Sequence, residues 1–289
     1  MNAPDIDETR AALRPPDIGI DWDAQRWRDD GARVLDLVAA ASTQWSGRSP
    51  APEDPDAAAR LFTGALPEEG VPLERLLARV ERDVLPSSAY NAHPRWLAYI
   101  MGSPAPITVV ANLIASALNQ NTGLWRVTPS ATAIEVQTIG WIASALGMPA
   151  TTEGVFVSGG QMANIVAQAV MRDARAPWDY RRYGARGPEG HAPQLRTYIS
   201  SERHYCHEQA AELLGLGRDA VRIVPVDDAY RMRVDALAAM LAEDRARGDV
   251  PIGVVATAGT VGTGAIDAIP ELVSLARTED VWLHVDGAY

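Results

Sequence analysis

Asp286 is the residue whose placement most needs a chemical reason. It follows Val281, Trp282, Leu283 and Val285, an apolar run that reads as a strand buried on both faces, and it precedes Gly287, Ala288 and Tyr289. A carboxylate leaving a buried strand costs free energy unless a cation or hydrogen-bond donors meet it. In open α/β sheets ligands bind at the carboxyl edge of the strands. Asp286 is therefore a candidate partner for a protonated ring nitrogen. The plainer alternative is an aspartate that caps the next helix.

Three other groups have the same predicted address. In GVFVSGGQMANI a strand runs into Ser158, Gly159 and Gly160, and a helix opens near Gln161. The two glycines admit a ligand close to the backbone, and free amides with the helix dipole favour a phosphate there. Gln161 and Asn164 can add donors. No Gly-Lys-Ser/Thr follows, so this is not a Walker loop; a tight turn that only reverses the chain is the alternative. In SSERHYCHEQAAELLGLG, His204 lies just past a strand, where an imidazole can stack on a flat aromatic ring. A helix-start histidine with no task competes with that reading. Metal ligation by His204, Cys206, His207 and Glu208 lacks a second ligand cluster to complete it, and we assign no metal. In VVATAGTVGTGAID, Thr257 and Thr260 offer hydroxyls at the strand end, in place of which a turn-rich connection is the bland reading. The glycines at 259, 262 and 264 do not make G-x-G-x-x-G, which argues against a nicotinamide-binding Rossmann unit. A phosphate cradle, a stacking imidazole, a hydroxyl and a carboxylate together specify a phosphorylated aromatic cation better than any one does alone.

The elements that must position these groups alternate. From Gly154 onward, β-rich runs (GVFVS, RTYIS, VRIVPV, IGVVATA, VWLHV) alternate with helical stretches at 162–174, 205–214, 234–246 and 268–278. That order predicts a largely parallel sheet covered by helices. Upstream, residues 1–20 read as a loose arm and 23–45 as a helix, with a proline-rich break at 47–55. Pro72 opens a further helix. His93, Trp96 and Tyr99 fall in the aromatic loop HPRWLAYIMGS; helices follow at 107–118 and 131–146, and 178–193 reads as a surface loop. We place a boundary between an N-terminal segment, 1–90, and a ligand-binding domain, 91–289.

Composition sets outer limits. The net charge of −11 argues against nucleic acid or an anionic membrane as partner. A single cysteine, Cys206, allows no internal disulfide and suits a reducing cytoplasm. No apolar run reaches the about 18 residues of a membrane helix. All 26 basic residues are arginine, so the chain offers no lysine amine for chemistry.

On His93–Pro94, SGGQMAN, the His204 segment, AGTVGTGAID and HVDGAY, the chain resembles the group II pyridoxal-phosphate-dependent amino-acid decarboxylases, such as the aromatic-L-amino-acid and glutamate decarboxylases. The resemblance runs from about Trp27 to Tyr289. It implies the large domain of a fold-type I pyridoxal-phosphate enzyme, α/β with a mostly parallel sheet, behind an N-terminal helical segment. It also implies an L-amino-acid substrate, a homodimer and loss of carbon dioxide. By the same resemblance Gly159, Gly160 and Gln161 hold the phosphate, His204 stacks on one ring face and Ala288 packs on the other. Asp286 keeps the ring nitrogen protonated, Thr257 lies nearby, and His93, Trp96 and Tyr99 match the substrate-lining region. His204 and Asp286 are the catalytic candidates. The chain departs from the family's usual residues at Gln161, Met162 and Val261. The family's Schiff-base lysine lies beyond HVDGAY, so we expect a C-terminally truncated piece of such an enzyme. The competing expectations are another pyridoxal-phosphate lyase or aminotransferase, and a non-catalytic cofactor-binding or dimer-partner protein.

Overall fold

The computed structural model describes residues 22–43, 49–52, 54–97, 99 and 101–289. The arm expected at 1–20 and the end of the helix expected to reach Trp45 lie outside them. Two compact units divide at Ala105/Pro106, later than the 90/91 boundary read from the sequence.

The first unit carries α1 (Ala24–Thr43), α2 (Pro55–Leu61) and α3 (Leu73–Arg79), which continues into a π-helical turn, Val80–Val84. The amide of Arg26 bonds Asp23 Oδ1 at 2.7 Å, capping α1. Pro72 directly precedes the first helical residue of α3 rather than occupying its first turn.

The second unit begins with α4 (Pro106–Leu118) and α5 (Pro129–Ala145), then α6 (Gly160–Arg175) and a short α7 (Tyr180–Tyr183) inside the stretch expected as loop. The alternating part follows: β1 (Leu195–Ser200), α8 (Cys206–Leu213), β2 (Val221–Val224), α9 (Val234–Ala246), β3 (Val250–Thr257), α10 (Ile269–Thr278) and β4 (Trp282–Asp286). The sheet order is β2-β1-β3-β4, and every pair is parallel. All four carboxyl ends thus share one edge.

Strand alternation sorts the side chains into two cores. Tyr198, Val254 and Ala256 face Leu237 and Leu241 of α9 and Leu272 and Ala276 of α10. Ile199, Ile252 and Val255 face Met171 of α6 and Ala211 of α8. Ile252 and Val255 share a face despite odd spacing. The ladder explains it: Arg196 pairs Pro251 but Thr197 pairs Gly253, leaving Ile252 as the extra residue of a bulge. Pro251, which cannot donate to a ladder, sits beside that bulge.

One expected strand is missing from the sheet. GVFVS forms no ladder among the described residues. Val155 and Phe156 are exposed there, and the Phe156 amide bonds the Glu135 carboxylate at 2.8 Å. A β-rich run becomes a strand only where a neighbour offers an open ladder edge.

Candidate functional site

Strand direction puts three of the predicted residues, His204, Thr257 and Asp286, at one edge of the sheet. β1 is followed by α8 on one face of the sheet, and β3 by α10 on the other. A change of face between adjacent strands opens the crevice where α/β sheets bind ligands. His204 follows β1; Thr257 ends β3 and is the register partner of Asp286, which ends β4.

Asp286 is held from three directions. On Oδ2 it accepts a hydrogen bond from Asn164 Nδ2 at 3.0 Å and lies 3.1 Å from His207 Nε2. On Oδ1 it accepts one from the backbone amide of Ala288 at 3.1 Å. Its side chain is 11% exposed. The His207 hydrogen bond holds the Asp286 carboxyl well below the ordinary carboxylate range, outweighing the opposing effect of burial. The charge is therefore permanent at neutral pH.

A layer of polar side chains lies behind it. His284 Nε2 is 2.7 Å from Asn164 Oδ1, and burial pushes the His284 imidazole down from its ordinary value. Gln168 Nε2 is 3.0 Å from His207 Nδ1. Asn164 Nδ2 also lies 3.4 Å from Cys206 Sγ, whose thiol burial pushes up. Helix α6 delivers this layer by spacing alone: Gly160, Asn164 and Gln168 recur every four residues, one face of an α-helix.

Gly160 also meets the loop after β4, because a Cβ placed on it would lie 3.4 Å from Ala288 Cβ. The residue before it, Gly159, has φ +147°, a backbone state that side chains other than glycine rarely adopt. No side chain caps α6. Its first amides thus lack intrahelical partners, and its dipole favours an anion. Gln161 is exposed and donates to Gln209 Oε1 of α8 at 3.0 Å.

The two candidate threonines differ. Thr257 is buried, and its hydroxyl has no hydrogen-bond partner. Thr260 is spent on its own loop, 2.7 Å from the Thr263 hydroxyl. In that loop Gly259 has φ +103°, and a Cβ there would come within 2.9 Å of Tyr289.

His204 is half-buried. Its ring centroid is 4.3 Å from that of Tyr205, and its Nδ1 accepts from the Cys206 amide at 3.2 Å. His93, Trp96 and Tyr99 belong to the first unit and are described within it. His93 Nδ1 accepts from the Arg95 amide at 3.0 Å, and the Trp96 and Tyr99 rings lie 6.1 Å apart.

Sequence reasoning placed Asn164 among phosphate donors; the structure turns it to Asp286 instead. It left out His207 as a partner of that carboxylate, and Gln168 and His284, which bond His207 and Asn164 behind it. The signal was available in the polar residues at 164 and 168, on a helix face that has to be buried. The fold also gathers Cys206, His207 and Asp286, with ligand-type atoms within 4.8 Å of one another. Hydrogen bonds to Asn164 and between His207 and Asp286 account for that grouping.

The profile of the pyridoxal-dependent decarboxylase conserved domain matches residues 55–289. An aromatic-L-amino-acid decarboxylase of Bacillus atrophaeus is 34% identical over 268 residues, 92% of this chain and 53% of that protein. An L-2,4-diaminobutyrate decarboxylase of Rhizobium meliloti is 33% identical over 265 residues, 89% and 49%. The crystal structure of mouse CSAD superposes with a TM-score of 0.81 at 28% identity, covering 91% of this chain and 54% of that one. The chain spans about half the length of the curated relatives it matches. With its parallel sheet and a match running through every element of the site, the chain belongs to the pyridoxal-dependent decarboxylase family and has the fold-type I architecture.

Proposed function

We propose that this chain supplies the cofactor-binding half of a carboxy-lyase that converts an L-amino acid to an amine and carbon dioxide. One observation carries the reading: a carboxylate kept ionised by Asn164 and His207 stands at the sheet edge beside the partnerless hydroxyl of Thr257. The family's cofactor, pyridoxal phosphate, fits these residues. It has a ring nitrogen that takes a proton, a phosphate, and polar ring substituents that can use an unpaired buried hydroxyl.

When bound, this cofactor supplies a sink for the electron pair left as carbon dioxide departs. The chain's own residues set the conditions for it. Asp286 holds a proton at the ring nitrogen by its fixed negative charge. Gly159, Gly160 and Gln161 present the opening of α6 to the phosphate. His204 and Ala288 would flank the cofactor's ring and exclude water. Thr257 donates its hydroxyl. The family resemblance alone assigns His93, Trp96 and Tyr99 to recognition of the amino acid. The chain contains no lysine, so an amine that links covalently to the cofactor has to come from outside these 289 residues.

The test uses protein expressed from the reading frame continued past the Tyr289 codon, given pyridoxal phosphate and a panel of aromatic, acidic and diamino acids. Carbon dioxide released in step with amine supports the proposal. An aldehyde or keto-acid product without the corresponding amine assigns the scaffold to another lyase or to an aminotransferase. The absence of lysine favours one second reading, a non-catalytic cofactor-binding protein or dimer partner. A stop codon directly after Tyr289, with no turnover of any substrate, would establish it.

We further read the protein as a cytoplasmic homodimer. The only cysteine, Cys206, is buried and unpaired, which suits a reducing compartment. No helix among the described residues is long and apolar enough to cross a membrane. Ile114 and Leu118 on α4 and Ile134 and Trp141 on α5 are exposed, as an interface between copies requires.

A further inference from the structure

We propose that His207 and Gln168 are positioning residues that decide where the proton shared between Asp286 and a bound pyridine ring resides. The inference rests on the cofactor reading above and deepens it. His207 and Gln168 are each 1% exposed, so water does not compete for their polar atoms. Gln168 Nε2 lies 3.0 Å from His207 Nδ1. An amide nitrogen only donates, so Nδ1 must be the accepting nitrogen and the ring proton sits on Nε2. That Nε2–H is aimed at Asp286 Oδ2, 3.1 Å away.

The consequence is electrostatic. A neutral imidazole gives Asp286 a hydrogen bond without cancelling its charge. A cationic imidazole in the same place would repel a pyridinium and neutralise the carboxylate meant for it. In this orientation Gln168 leaves its own Oε1 buried with no partner. Turning the amide over would satisfy Nδ1–H with Oε1. With Nε2–H still bonded to Asp286, the ring would then carry a positive charge. His207 faces Asp286 and His284 on β4 and Gln168 on α6, with Cys206 beside it. His284 repeats the arrangement through Asn164, so two side-chain arms end on the same oxygen. Every hydrogen bond accepted by the carboxylate lowers its affinity for a proton and leaves that proton on the ring.

Pyridoxamine phosphate, which binds without a covalent link, tests this in protein expressed from the reading frame continued past the Tyr289 codon. Binding is followed by ring fluorescence, and protonation by the NMR shift of an isotopically labelled ring nitrogen. In the unaltered chain the bound ring should give the protonated shift. In His207→Val the shift should move toward the neutral ring and affinity should fall about tenfold, the loss expected for one hydrogen bond to a charged group. His207→Gln, which restores an N–H donor, should recover most of both. Gln168→Leu, which releases the tautomer, should lie between. Circular dichroism and thermal melting check that each variant is folded; if His207→Val is not, the other two decide. Ring shifts identical in the unaltered chain, His207→Val and Gln168→Leu, with binding intact, would overturn the role of His207 and Gln168 alone. No binding to the unaltered chain would overturn the cofactor reading and this role with it.

Discussion

The contacts Asp286 makes in the free protein and its proposed hold on the cofactor have energies that can be separated. In the free protein it satisfies donors from Asn164, His207 and Ala288. Truncating it to alanine strands the buried donors of Asn164 and His207 and should lower stability by about 1–3 kcal/mol. Replacing it with asparagine keeps the shape and removes the charge. Asp286→Asn should therefore weaken pyridoxamine phosphate by about 2 kcal/mol, roughly thirtyfold. Titration calorimetry reads that difference, and equal affinities would remove Asp286 from the cofactor site. The same residues predict a pH profile. His284 is pushed below its ordinary 6.5 by burial, and Asp286 below its ordinary 3.8 by the His207 hydrogen bond. In both cases the unfolded chain takes up the proton first. Stability is then whole above pH 6.5, starts to fall below it as His284 is challenged, and falls again below 3.8 as Asp286 is. His284→Gln, whose amide can still reach Asn164, should remove the upper limb and leave the lower one. Denaturant midpoints measured across that range check it; an unchanged profile would mean His284 does not titrate with folding. The place of Asp286 at the end of a strand was legible in the sequence, because it closes an apolar run. His207 was not, because it lies 79 residues away and meets Asp286 only once the sheet has formed.

At the scale of elements, α6 governs the site. It carries Gly160 against Ala288, Asn164 on Asp286 and Gln168 on His207, so its height above the sheet sets all three distances. That height is fixed by Met171 of the same helix, which lies on the backbone of Gly253 in β3. A Cβ on Gly253 would stand 2.6 Å from Met171 Sδ. Gly253→Ala has to lift or shift the helix, and we expect a loss of about 1–3 kcal/mol, as for other overpacked cores. Pyridoxamine phosphate affinity should fall with it, although residue 253 is remote from the ligand. A second change, Met171→Ala in the Gly253→Ala background, removes the obstructing side chain and should return part of the affinity. Failure of that rescue would show that α6 is held by something else. The helices and strands of this region were readable from their periodicity, to within a residue or two. The bulge at Ile252 was not, since it depends on how β1 and β3 pair rather than on either strand alone. The strand expected at GVFVS failed for a related reason: apolar alternation says what a segment can do, and only a free neighbouring edge makes it happen.

At the scale of the whole molecule, apolar surface is the unspent quantity. In α4 and α5, Ile114 is 57% and Trp141 65% exposed, alongside Ile107, Leu118 and Ile134. Helices apolar on several sides are normally covered. If a second copy covers them, the chain should sediment as a dimer at micromolar concentration and bind little hydrophobic dye. Ile114→Glu then places an unpaired charge in the contact, at a cost of about 3 kcal/mol, or more than a hundredfold in the dimer dissociation constant. On an uncovered surface the same substitution is nearly silent and slightly favourable to solubility. The two cases therefore differ in sign as well as size. Dimer in the unaltered chain with monomer and raised dye binding in Ile114→Glu places α4 in the interface. A chain that stays monomeric with strong dye binding in both forms rejects the homodimer for these 289 residues and leaves the apolar faces of α4 and α5 open to a different covering.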